Sequence, residues 1–184
     1  MSAIYTWWIG VDVPRPRVLD LVQRQVAAAF EIPVRRWEAP LRPVDTLDVR
    51  RQQHLSTSIL RWMKTHRPPE ARKILGLTDV DLFIPVLTFV YGEAQLGGSC
   101  AVVSAARLGP PLGGIDGELA ASRLAKEAVH ELGHTFGLVH CSSPRCVMSR
   151  SVNLAAVDGK SSTLCTDCRL DYLERLSQLE ADHE

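Results

Sequence analysis

Apolar positions along this chain recur with two periods, and the change from one to the other marks out its elements. Ile4 to Val13 concentrates aromatic and β-branched residues and predicts a first strand, which Pro14 and Pro16 stop. Val18, Leu21, Val22, Val26, Ala29 and Phe30 then keep three- and four-residue steps, so a helix over roughly 17–30 packs on that strand. Pro33 to Trp37 reads as a second strand before a proline-containing loop. Leu55, Ile59, Trp62, Met63 and His66 mark a second helix, ended by Pro68 and Pro69, and make His66 a helix-face residue rather than a ligand. Val80 to Ile84 reads as a buried central strand. Thr88 to Gly92 and Ala101 to Ala105 read as two more, joined by the turn QLGGS. Gly109 to Gly117 reads as a connector, with a mobile wall beside the following helix as the functional alternative.

That following helix carries the chemistry. Ala121, Leu124, Ala125, Ala128, Leu132 and Phe136 form an apolar stripe, and His130 and His134 fall roughly opposite it, facing a cleft. With about 3.6 residues per turn, two histidines four residues apart project from one helix face, which alone is usually an ordinary polar face. HELGHTFGLVHC, from His130 to Cys141, adds Glu131, Gly137 and His140 at the offsets a catalytic zinc ion requires. Gly137 suits a left-handed helix end, and the turn it permits brings His140 round as a third nitrogen ligand. A fourth position stays open for water, whose pKa zinc lowers to about 7, and Glu131 stands beside it to take a proton.

Cys141, Cys146, Cys165 and Cys168 read C-x4-C and C-x2-C, a spacing suited to a closed all-thiolate zinc site of structural purpose. In an extended segment His140 and Cys141 point to opposite sides, so one peptide can serve two ions. Disulfides need an oxidising compartment. The apolar run IYTWWIGV has no basic segment before it and is broken by Asp12, so it does not read as a secretory signal. A redox pair expects two thiols beside a strand rather than four beside a zinc motif. Cys165 and Cys168 fall in the first turn of a C-terminal helix, with Ser161, Ser162 and Thr163 as candidate caps. Cys100, in GGSCAVVSA, reads as a buried small hydrophobe, with a thiol near the cleft as the lesser alternative.

HExxHxxGxxH followed by a methionine resembles the metzincin clan of zinc peptidases, and Cys141, Cys146, Met148 and the Cys165/Cys168 pair resemble its archaemetzincins. The match is tight over 130–168. LFIPVLTFVYGEAQLGGSCAVVSAARL resembles the upper rim of that family's substrate cleft, and residues 1 to about 75 match in order of elements. The resemblance implies a metzincin-like α/β (α+β) fold with a mixed twisted sheet, an edge strand over the cleft, an active-site helix, a Met-turn and a C-terminal helix. It implies one catalytic domain over 1–184. Residues 1–137 would carry the sheet and active-site helix, and residues 138–184 the Met-turn, the four-cysteine zinc site and the last helix. It makes His130, His134 and His140 the catalytic zinc ligands, Glu131 the general base and Met148 the Met-turn residue under the metal. The four cysteines become a second, structural site, giving two Zn2+ per chain. A methionine simply packed in a core is the commoner use of that residue.

The expected function is zinc-dependent hydrolysis of a peptide or protein substrate, whose extended backbone pairs with the open edge strand. A non-catalytic zinc-stabilised peptide-binding module and a hydrolase of non-peptide amides stand as alternatives; Glu131 argues against the first, because binding needs no base there. Internal cleavage and aminopeptidase action are both open. No tyrosine follows Met148 closely, so an oxyanion-stabilising side chain is missing or comes from elsewhere, and zinc itself suffices. With 184 residues, 46% of them hydrophobic, the chain is long enough for one substantial core. No apolar run reaches the roughly 18 residues of a membrane span. Lys plus Arg and Asp plus Glu balance at 21 each, which points to neither nucleic acid nor a charged membrane. A cytoplasmic monomer without a separable propeptide is expected.

Overall fold

The computed structural model describes residues 3–110 and 117–181. In chain order it contains β1 (Ala3–Trp8), α1 (Pro16–Phe30), β2 (Val34–Trp37), β3 (Leu47–Asp48), β4 (Gln53–Leu55), α2 (Ser56–His66) and β5 (Ala71–Thr78). There follow β6 (Leu82–Phe83), β7 (Gly92–Ala94), β8 (Cys100–Ser104), α3 (Gly117–Thr135), α4 (Leu154–Gly159) and α5 (Thr166–Ala181). The main sheet has the order β2-β1-β5-β8-β7. Its first four strands are parallel and β7 runs antiparallel along the edge. The sheet is therefore mixed, with an edge strand, as the fold class expected.

Strand alternation splits the core in two. Ile4, Leu75, Leu77, Ala101 and Val103 point to one face, where α1 and α3 pack, and Tyr172 of α5 joins them. Tyr5, Trp7, Ile74, Cys100 and Val102 point to the other, under Ile59, Leu60 and Met63 of α2. Helix α1 begins with Pro16, whose missing N–H costs nothing at a helix start. The small sheet β3-β4-β6 flanks the edge and pins the chain before β7. Arg51 donates to the carbonyls of Leu87 at 2.9 Å and Thr88 at 3.0 Å, and Gln53 donates to Thr88 at 2.9 Å.

The central strand differs from the sequence reading. Val80 to Ile84 contributes only the short β6 in the side sheet, and the centre belongs to β5, over ARKILGLT. Arg72, Lys73 and Gly76 interrupt its apolar character and hide it. Lys73 is nevertheless buried, because its ammonium donates to the carbonyls of Gly98 at 2.6 Å and Thr135 at 2.7 Å. Gly76 leaves the space that Met63 fills: a Cβ there would stand 2.7 Å from the Met63 sulfur. The first strand is shorter than expected, stopping at Trp8, and the edge strand begins at Gly92 rather than spanning Thr88 to Gly92. Residues 111–116 of the glycine-rich connector lie outside the described residues, so its reading as a mobile wall does too.

Candidate active site

Helix α3 lies against the sheet through Ala120, Leu124, Ala128 and Leu132, small and branched residues that let it approach closely. Its opposite side is not a solvated face: Arg123, Glu127, His130 and Glu131 are buried as well. The helix ends as the glycine predicts. Gly137 has φ +90°, Leu138 N–H donates to the Gly133 carbonyl at 3.1 Å and Gly137 N–H to that of His134 at 2.9 Å, the paired bonds of a Schellman motif. That reversal carries His140 back over the helix, where its ring centroid lies 5.3 Å from that of His130 and 4.9 Å from that of His134.

The three rings present one ligand atom each, all within 4.8 Å of one another. His130 Nδ1 lies 2.8 Å from the Val147 carbonyl and His134 Nδ1 lies 2.7 Å from that of Leu138. A carbonyl only accepts, so each Nδ1 carries the hydrogen and each Nε2 of a neutral ring is a bare lone pair. Those two Nε2 atoms face each other at 3.2 Å. Two nitrogens at about 2.0–2.1 Å from one tetrahedral zinc must be roughly 3.3 Å apart, so the rings fit the ion. Burial, then the Lys160 charge, holds His130 well below the ordinary histidine range. Burial also lowers His134, and burial with the neighbouring His134 and Arg150 lowers His140. Neutral rings are what metal binding needs.

Glu131 projects from the same helix into the wall of a cleft of about 460 Å³. The cleft is lined by residues 87–92 of the rim, by Glu127, His130 and Glu131 of α3, and by His140, Arg150, Ser151 and Val152. Burial, reinforced by the nearby Glu127, pushes the Glu131 carboxyl well above its usual value. Gly92 of the rim lies directly over it. The next residue, Glu93, points to the other face of the sheet, where Ser56 and Thr57 at the start of α2 donate to its carboxylate.

Beneath the helix a fully buried ion pair joins Glu127 to Lys160 at 2.8 Å, with relative side-chain exposures of 3% and 0%. Ser151 donates to Glu127 at 3.0 Å, and the Lys160 ammonium lies 3.5 Å from His130 Nδ1 and 3.4 Å from the Ser149 carbonyl. No sequence motif flags this pair; the one signal is that Glu127 precedes Glu131 by one helical turn. Met148 is buried against Gly133, leaving no room for a Cβ at that glycine.

Cys141, Cys146, Cys165 and Cys168 bring their sulfurs within 4.8 Å of one another. Cys141 and Cys165 lie 3.8 Å apart, the separation of two thiolates each about 2.3 Å from a tetrahedral zinc. None of the five cysteines is in a disulfide. Cys165 precedes α5, and the Cys168 backbone N–H donates to its sulfur and lowers its pKa. Ser161 does not cap α5: its hydroxyl accepts from Thr163 N–H at 3.1 Å and closes a local turn. Cys100 is buried on the α2 face of the sheet, away from α3, and burial raises its pKa. His66 stacks on Trp62 at 4.7 Å on the helix surface. No helix among the described residues is long and apolar enough to cross a membrane.

Residues 58–175 match the model of Peptidase family M54. The archaemetzincin of Methanopyrus kandleri is 44% identical over 152 residues, covering 82% of this chain and 83% of that relative. Its crystal structure resembles this one with a TM-score of 0.85 at 36% identity, covering 96% of each chain. A zinc-dependent peptidase from Methanocorpusculum labreanum gives a TM-score of 0.82 at 29% identity, covering 92% of this chain and 100% of that one. With these candidate metal-binding histidine and cysteine groups in place, the chain belongs to peptidase family M54, the archaemetzincins, and is a zinc metallopeptidase.

Proposed function

We propose that His130, His134 and His140 hold the zinc at which peptide bonds are hydrolysed, and that Glu131 is the general base. A second, structural zinc is held by Cys141, Cys146, Cys165 and Cys168. The observation that carries the reading is the pair of bare Nε2 atoms facing each other at 3.2 Å, a contact that repels unless a cation lies between them. Zinc bound there supplies Lewis acidity toward a carbonyl and brings the pKa of water down to about 7.

The remaining work falls to side chains and backbone. Glu131 takes the proton of the attacking water, and its buried setting makes the protonated form stable enough to pass that proton on to the departing amine. Among the described residues strand β7 pairs with β8 on one side only, so its outer edge takes the substrate backbone as an added strand. Gly92 keeps that strand close to Glu131. Met148 serves as the Met-turn residue, filling the space under Gly133. Residues 1–184 act as one catalytic domain divided at Gly137, with sheet and active-site helix before it and Met-turn, cysteine site and last helix after it. A reducing compartment such as the cytoplasm fits five cysteines without a disulfide.

Wild type and Glu131→Ala, assayed on a peptide library with zinc counted by elemental analysis, test the assignment. Cleavage should fall by roughly 10²–10⁴-fold, the usual contribution of a general base, with about two zinc ions per chain in both proteins. Undiminished cleavage by the variant would remove Glu131 from the role.

A further inference from the structure

Beside the catalytic cleft lies a second cavity of about 470 Å³, between the cysteine loop and α4. Arg145 and Arg150 line it, over a floor made of Ala155, Ala156 and Gly159, and Arg150 also lines the catalytic cleft. The floor is open: a Cβ on Gly159 would meet nothing within 4 Å. Both guanidinium groups are exposed, and neither is matched by a carboxylate among the described residues. Two acids on adjoining elements are already taken. Glu127 is held by Lys160, and Asp158 receives two bonds from Arg123 at 2.7 and 2.6 Å. Two cations thus line open space without an ion pair to any carboxylate among the described residues.

We propose that this is a carboxylate-recognition subsite: a peptide lying along β7 presents an acidic side chain or its C-terminal carboxylate to Arg150, with Arg145 completing the cationic wall. Arginine suits the task because its planar fork meets a carboxylate with two parallel N–H···O bonds. The cavity floor carries no side chain larger than alanine from α4, so it leaves room for the acidic group and its stem. The assignment rests on the peptidase reading for the direction in which substrate lies.

Two matched pairs of peptides separate the sources of the carboxylate. One pair exchanges Glu for Gln at a single position with amidated C-termini; the other keeps a neutral sequence and exchanges a free for an amidated C-terminus. In at least one pair the carboxylate member should have a kcat/KM roughly tenfold higher, as expected of a charge-assisted pair at a partly exposed site. That ratio should shrink toward one in Arg150→Gln, shrink partly in Arg145→Gln, and fall in wild type as salt is raised. Binding of the same peptides to Glu131→Gln, followed by fluorescence anisotropy, should show the same ranking. If wild type cuts no peptide while that ranking persists in binding, hydrolysis is the reading that fails and the subsite stands. A ratio near one in both pairs for wild type, or a preference that Arg150→Gln leaves intact, overturns the subsite.

Discussion

Gly92 of the rim strand and Glu131 of the active-site helix are packed so closely that no larger residue fits between them. A Cβ on Gly92 would stand 2.6 Å from Glu131 Cγ and 2.9 Å from its Oε1, and 2.7 Å from the Val102 carbonyl across the strand pair. The carboxylate arm can swing aside, but the carbonyl is backbone, so Gly92→Ala must move either Glu131 or the rim. A displacement near 1 Å at a reacting group lowers rate by about 10²-fold, and overpacking costs about 1–3 kcal/mol of stability. Kinetics and metal analysis of Gly92→Ala should therefore show a kcat reduced on that scale with zinc content retained. A variant with wild-type kcat would show that the contact has no bearing on catalysis.

The Glu127–Lys160 pair has a separable consequence for stability. Removing one partner leaves the other charge buried and unpaired, which costs about 3–5 kcal/mol, whereas replacing both by apolar residues of similar size is often close to neutral. Urea unfolding should accordingly find Lys160→Met and Glu127→Leu each strongly destabilised, and the double variant more stable than either. Additive losses in that cycle would mean that the two side chains contribute independently.

Spacing along the chain makes the two candidate metal-ligand groups readable, and the histidine group is wholly local: His130 and His134 share a helix, Gly137 turns it, and His140 follows. The left-handed Gly137 and the opposite aim of His140 and Cys141 are local too, and the structure shows both. What stays hidden works across distance. Strand β5 looks broken because Lys73 and Gly76 serve contacts with Thr135 and Met63 that no window of sequence contains. Lys160 gives no sign of meeting Glu127, and Glu93 gives none of anchoring to Ser56 and Thr57, since each partner is brought in by topology alone. Arg150 carries no signal in the sequence beyond standing where a tyrosine would be looked for.

Zinc removal should proceed in two steps. His140 is exposed and the histidine group offers three nitrogens, whereas the cysteine group offers four sulfurs and includes the buried Cys146. Mild chelation with dipicolinate should release about one zinc per chain and abolish cleavage while far-UV dichroism is unchanged. Titration with a mercurial should release the second zinc and loosen α5, which is held to α1 by Arg169 on the Ala29 carbonyl and Tyr172 on that of Phe30, both at 2.7 Å. Simultaneous loss of both ions, or activity surviving the first, would contradict the division of labour.

Lys73 sets a pH dependence whose sign follows from its burial. Desolvation, followed by the charges of Arg72 and Arg67, brings its pKa down from 10.5 to about 8. Below that value both folded and unfolded chains hold the proton, and the folded state bears the cost of a buried charge. Between about 8 and 10.5 the folded protein releases the proton while the unfolded chain keeps it, so the unfolded state binds more protons and stability rises with pH. The neutral amine still has two hydrogens for the Gly98 and Thr135 carbonyls, so deprotonation need not break the link to the end of the active-site helix. Unfolding free energies of wild type and Lys73→Met, measured side by side from about pH 7 to 10, should diverge in favour of wild type as pH rises, and NMR of the Lys73 side chain should find a midpoint near 8. Parallel curves with a midpoint at the ordinary lysine value would show that the ammonium keeps its proton in the core at the expense of no stability, contrary to the desolvation argument.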